Sequence, residues 1–136
     1  MFDLTEQLIR HEGLRALPYQ DSLGVWTVGV GHNMTVPLTH RAIMTILQDD
    51  IDAAVNDCLH AFPWFAALDE IRQAAIVNMR FNMGLSKLKG FKRFLAAMEM
   101  EQYDEAAREM LNSLWAKQVG SRAVELAAMI QGLEEV

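Results

Sequence analysis

The chain has 136 residues, half of them apolar, and 18 acidic against 12 basic side chains for a net charge of −6. That length makes one domain with a real core, and the negative balance argues against nucleic acid as a primary partner. No stretch approaches the roughly 20 consecutive apolar residues of a membrane span. A single cysteine, Cys58, cannot form an intrachain disulfide, and the opening MFDLTEQLIRHEG lacks the basic region and apolar run of a secretory signal. Both features lead to the expectation of a protein folded in a reducing cytoplasm.

Asp3 with Glu6 three residues on forms a capping-box pattern, and Leu4, Leu8 and Ile9 line one face of the helix it opens. Glu12 falls at the C-terminal end of that helix, where the dipole disfavours a carboxylate, and Gly13 offers the stop. Asp21-Ser22-Leu23-Gly24 is a turn signal. It follows a hairpin region and precedes the alternating run Val25–Val30, a strand pattern. Glycines 29 and 31 weaken a strand and point to close backbone approach or a sharp bend. Glu12, Asp21 and Thr27 thus lie on either side of a hairpin, a common arrangement for acid/base cleavage of a glycosidic bond. Taken singly, each has a plainer role: a helix-end acid, a turn-starting residue, a β-former.

Thr39 is a good N-cap for a helix from His40 to about Leu59. Asp69 caps another that ends at Met83. Apolar residues cover most of its circumference, so it reads as the buried axis of a helical lobe. Lys87–Phe94 reads as a connector with a short helix, Tyr103 opens a helix running to Trp115, and Ser121 caps a last helix to about Gln131. Residues 61–100 carry six basic against three acidic groups, concentrated in Lys87, Lys89, Lys92 and Arg93. That concentration is either a solvated connector or a local attractive field. Histidines 11, 32, 40 and 60 lack the helical i, i+4 pairing of a zinc site, and no P-loop or dinucleotide fingerprint occurs.

The wording around the two acids is more specific than their spacing. Glu12-Gly13, Tyr19, Asp21, Gly24, Thr27, Gly29 and Gly31-His32 fill the pattern E-G-x5-Y-x-D-x2-G-x2-T-x-G-x-G-H. This segment resembles the active-site segment of the phage-type lysozymes, the T4 lysozyme family of glycoside hydrolases. Phe81-Asn82-Met83-Gly84 and Trp115-x-x-Gln118-x-x-x-Arg122 resemble later segments of the same family. The connection after His32 is shorter than in many relatives.

The resemblance implies a mainly helical α+β, lysozyme-like fold in a single domain. Its β-hairpin lobe covers about 13–38, its linking helix 39–59, and its helical lobe 1–12 and 60–136, with a cleft between the lobes. It implies a muramidase cleaving the β-1,4 bond between N-acetylmuramic acid and N-acetylglucosamine in peptidoglycan, with inversion. Glu12 would be the general acid, and Asp21 with Thr27 would position water. Phe81, Asn82, Gln118 and Arg122 would be substrate-binding residues, Arg122 lying beside Glu12. Several sugar-contact positions of relatives are not kept: this chain has Asn33, Phe94 and Glu109 there, and no binding role is carried onto them. No metal or organic cofactor is implied, and the expected state is a monomer acting on the cell wall after release from a bacterial host cytoplasm. The alternatives are a lytic transglycosylase, which needs no activated water, and a non-catalytic wall-binding or assembly module on the same fold.

Overall fold

A computed structural model describes residues 1–133 of the chain. Among them are eight α-helices and one three-stranded antiparallel sheet, a mainly helical α+β architecture. The backbone divides into two compact units, residues 1–44 and Thr45 onward, and α2 (His40–Ala61) begins in the first and ends in the second.

The first unit opens with α1 (Leu4–Glu12), capped by Asp3 Oδ1, which accepts the Glu6 N–H at 3.1 Å. Only half of the expected capping box forms, because the Glu6 carboxylate pairs with Arg10 one turn on. α1 ends at Gly13, as expected. Strands β1 (Arg15–Gln20), β2 (Trp26–Gly29) and β3 (His32–Asn33) follow in sheet order β1-β2-β3. The expected hairpin and strand are therefore a small meander. Pro18 lies in edge strand β1 within the irregular stretch of register between Arg15 and Tyr19, where a residue without an N–H is tolerated. Leu4, Leu8 and Ile9 are exposed, and no apolar side chain among the described residues of this unit is buried.

The second unit has a continuous core. Thr39, at the close of the first unit, caps α2 through its hydroxyl, which accepts the Ala42 N–H at 3.1 Å. Asp69 caps α3 (Glu70–Met83). α3 buries Ala75, Ile76 and Met79 but leaves Ile71, Ala74 and Phe81 exposed. It is packed on one side, which corrects the expectation of a wholly buried axis. Lys87 and Lys89 belong to a short helix, α4 (Leu85–Lys89), where a connector was expected, and α5 (Lys92–Glu99) follows.

The helix expected from Tyr103 to Trp115 is two helices, α6 (Tyr103–Leu111) and α7 (Leu114–Val119). Ser113 makes the break: its hydroxyl donates to the Met110 carbonyl at 2.7 Å and accepts from the Ala116 N–H at 3.1 Å. It closes one helix and caps the next. α8 (Ser121–Gln131) starts from Gly120, at φ +60°, rather than from a Ser121 cap. Small buried residues, Ala106 and Ala107 on α6 and Ala123 and Ala127 on α8, let these two helices pack closely. Phe91 stands edge-on to Phe94 and Trp115, a favoured aromatic geometry.

α2 and α3 are also joined by charge. Arg80 pairs with Asp57 at 2.8 Å, partly shielded from water. Cys58 is fully buried next to this pair, and burial pushes its thiol up to about 11, against a lowering by Arg80 and a smaller raising by Asp57.

Candidate active site

The three candidate catalytic residues all belong to the first unit, each fixed by a different device. Glu12 is the last residue of α1, and its side chain rests against the turn between β2 and β3. A Cβ added to Gly31 would stand 2.9 Å from Glu12 Oε2 and 3.1 Å from its Cγ and Cδ, and Gly31 has φ +63°. Only glycine meets both conditions. The close approach expected at Gly31 is therefore an approach by the candidate acid itself.

Asp21 closes the β1–β2 connection. Its Oδ1 accepts the N–H groups of Leu23 at 2.8 Å and Val25 at 2.9 Å, and its own N–H donates to the Val25 carbonyl at 2.9 Å. The turn-forming role read for Asp21 is thus real. Both side-chain bonds fall on Oδ1, which leaves Oδ2 to accept from elsewhere.

Thr27 pairs with Tyr19 on β1 and Asn33 on β3. At 5% exposure it is the one buried polar residue among those described. Its hydroxyl donates to the Val25 carbonyl at 2.9 Å. With the hydrogen committed there, the oxygen lone pairs can act only as acceptors. Val25 is the shared anchor of Asp21 and Thr27, bonded to one through both its N–H and C=O and to the other through its C=O. A backbone group leaves no trace in residue type, so nothing in the sequence marked it.

The four candidate substrate-binding residues lie in the second unit, and the structure separates them. Phe81 and Arg122 line one cavity of about 520 Å³, together with Ile51, Val77 and Asn78. Arg122 donates from Nε at 2.9 Å and from Nη2 at 2.7 Å to Asn78 Oδ1. Asn82 faces another neighbour: its Oδ1 accepts the indole N–H of buried Trp115 at 2.8 Å. Gln118 is exposed on α7 and is not among the residues lining that cavity. Asn78 escaped the sequence reading, although two asparagines four apart inside a helix were a usable signal. Such residues are neutral to unfavourable there unless their amides have work to do.

Comparison with known proteins identifies the family. A profile of the phage lysozyme family matches residues 9–134. "Probable T4-type lysozyme 1" of Dictyostelium discoideum is 27% identical across 94% of this chain and 93% of its own length. The endolysin of Salmonella phage P22 is 29% identical across 82% of this chain and 79% of its own. The pre-baseplate central spike protein Gp5 of Enterobacteria phage T4 is 27% identical across 93% of this chain, which spans 27% of that larger protein.

Proposed function

The chain belongs to the phage lysozyme family, and on that premise we propose that it is a peptidoglycan hydrolase cleaving the β-1,4 bond between N-acetylmuramic acid and N-acetylglucosamine. Glu12 protonates the leaving glycosidic oxygen. Asp21 and Thr27 hold a water that attacks the anomeric carbon from the opposite face. The observation that carries this reading is the Val25 anchor, which fixes a carboxylate and a hydroxyl acceptor relative to each other through bonds of 2.8–2.9 Å. Each of the two keeps an acceptor for a proton of the same water, so the water's lone pair is left for the sugar. Attack by water gives inversion, which requires the two carboxyl groups to stand roughly 6.5–9.5 Å apart when substrate is bound.

Phe81 and Arg122 are proposed as substrate contacts from the second unit. Asn82 and Gln118 complete the proposed set, Asn82 with a structural duty to Trp115 besides. The reading needs no metal or organic cofactor. It pictures a monomer made in a bacterial host cytoplasm and released to the wall by a separate factor. No helix among the described residues is long and apolar enough to cross a membrane.

Digestion of purified peptidoglycan, followed by mass spectrometry and NMR of the fragments, tests the assignment. The expected products carry a new reducing-end N-acetylmuramic acid, first released as the α anomer. Fragments ending in 1,6-anhydro sugar would identify a lytic transglycosylase, and intact polymer would identify a wall-binding module.

A further inference from the structure

We propose that Lys87, Lys89, Lys92 and Arg93 form a docking surface for the carboxylates of peptidoglycan stem peptides. The proposal rests on the reading of the chain as a peptidoglycan hydrolase. All four side chains are exposed. Among the described residues none of the four enters an ion pair; Arg10, Arg72, Arg80 and Arg108 do, while Arg15, Lys117 and Arg122, scattered along the chain, do not. In a chain of net charge −6 with 18 acidic residues, four cations thus fall within seven positions with no ion-pair partner among the described residues.

Helix stability does not account for the arrangement. Lys87 and Lys89 occupy the last turn of α4, where the dipole favours cations, but Lys92 and Arg93 open α5. There the positive end of the dipole opposes them. No acid sits in the first turn of α5, and the N-cap residue Phe91 offers no side-chain acceptor. Lys92 and Arg93 also line an open cavity of about 420 Å³ with Phe94, Glu109 and Ser113. Peptidoglycan stems end in carboxylates, so an acidic protein approaches this polymer against its own net field. A local positive patch reverses that field over its own area.

The test is co-sedimentation with insoluble peptidoglycan stripped of phosphate-bearing polymers. It compares Glu12→Gln protein, which spares the polymer, with and without Lys87→Gln, Lys89→Gln and Lys92→Gln, circular dichroism confirming equal folding. At about 10 mM salt, where charges act over roughly 30 Å, the triple change weakens binding about tenfold, at the low end of such focusing. The two curves converge towards 0.15 M salt, where the range is about 8 Å. Peptidoglycan with amidated carboxyl groups reproduces the loss for the parent protein and adds little for the triple variant. An unchanged salt profile in the triple variant overturns the proposal. So does an amidation loss of equal size in both proteins, or binding that appears only when phosphate-bearing polymers are left on the wall. Because the assay reads binding and not turnover, an inactive wild-type chain would sink the hydrolase reading without altering this answer.

Discussion

The two compact units hold their functional residues in opposite ways. In residues 1–44 no apolar side chain among those described is buried, yet the candidate catalytic groups are held by a helix end, a tight glycine and a backbone anchor at Val25. In the second unit a packed core of aromatic, aliphatic and alanine side chains positions the helices. There side-chain amides, Asn78 and Asn82, hold the candidate contact residues or the core behind them. Hydrogen bonds and glycine geometry place an atom to within tenths of an ångström without needing bulk, which suits a reaction centre. Packing gives a lasting platform and tolerates some change at its edges. Substitutions in the first unit should therefore damage rate more than stability, and those in the second stability more than rate.

The sharpest break in that contrast is at Asp21. Asp21→Asn retains an oxygen for the Leu23 and Val25 N–H groups but loses the negative charge. Activity should fall by roughly 10²–10⁴-fold, as for loss of a general base, with the thermal midpoint close to wild type. Asp21→Ala should lose as much activity and also about 1 kcal/mol of stability as the turn gives up its acceptor. Equal activity in Asp21→Asn and wild type would reduce the residue to a turn former.

Gly31→Ala comes next. A Cβ at φ +63° costs about 1–2 kcal/mol, and at 2.9 Å from Glu12 Oε2 it must displace the carboxyl. A shift of that kind should lower kcat by roughly 10–100-fold. Steady-state kinetics beside urea unfolding separates the two effects, and a stability loss with full kcat would detach Gly31 from the acid.

In the second unit Asn78→Ala should reverse the pattern. Arg122 loses its acceptor for two donors in a half-buried setting, at about 1–3 kcal/mol, whereas Asn78→Asp restores an acceptor and should recover the stability in a urea titration. A smaller effect concerns pH. The Cys58 thiol ionises near 9.0 when unfolded and near 11 in the folded core. Its contribution is complete below pH 9 and is lost as pH rises through 11, because the unfolded chain releases its proton first. The stability gap between wild type and Cys58→Ala should narrow over that window, as chemical denaturation at each pH would reveal.

Local chemistry was legible in the sequence where a side chain acts on its own neighbours. The caps at Asp3, Thr39 and Asp69 are where the sequence places them, since short polar side chains reach N–H groups two or three residues on. The glycine at 31 announced a close approach, though not the group that approaches. Ser113 was passed over because apolar spacing runs unbroken from Tyr103 to Trp115, and a hydroxyl serving two helices has no periodic signature. Likewise α3 looked apolar all round in sequence, but composition does not say which face receives a neighbour. Val25 and the Arg122–Asn78 pair depend on backbone atoms and on residues 44 positions apart, information that exists only after folding.

The most direct test of the account is the rate of peptidoglycan cleavage by Glu12→Gln, measured beside its unfolding curve. The substitution keeps the size of the side chain against Gly31 and its hydrogen-bonding capacity, and removes only the transferable proton. Turnover should drop by at least about 10²-fold while the unfolding midpoint stays with the wild type. Cleavage at the wild-type rate by a fully folded Glu12→Gln protein would contradict the assignment of the acid, and with it the placing of the chemistry in residues 1–44.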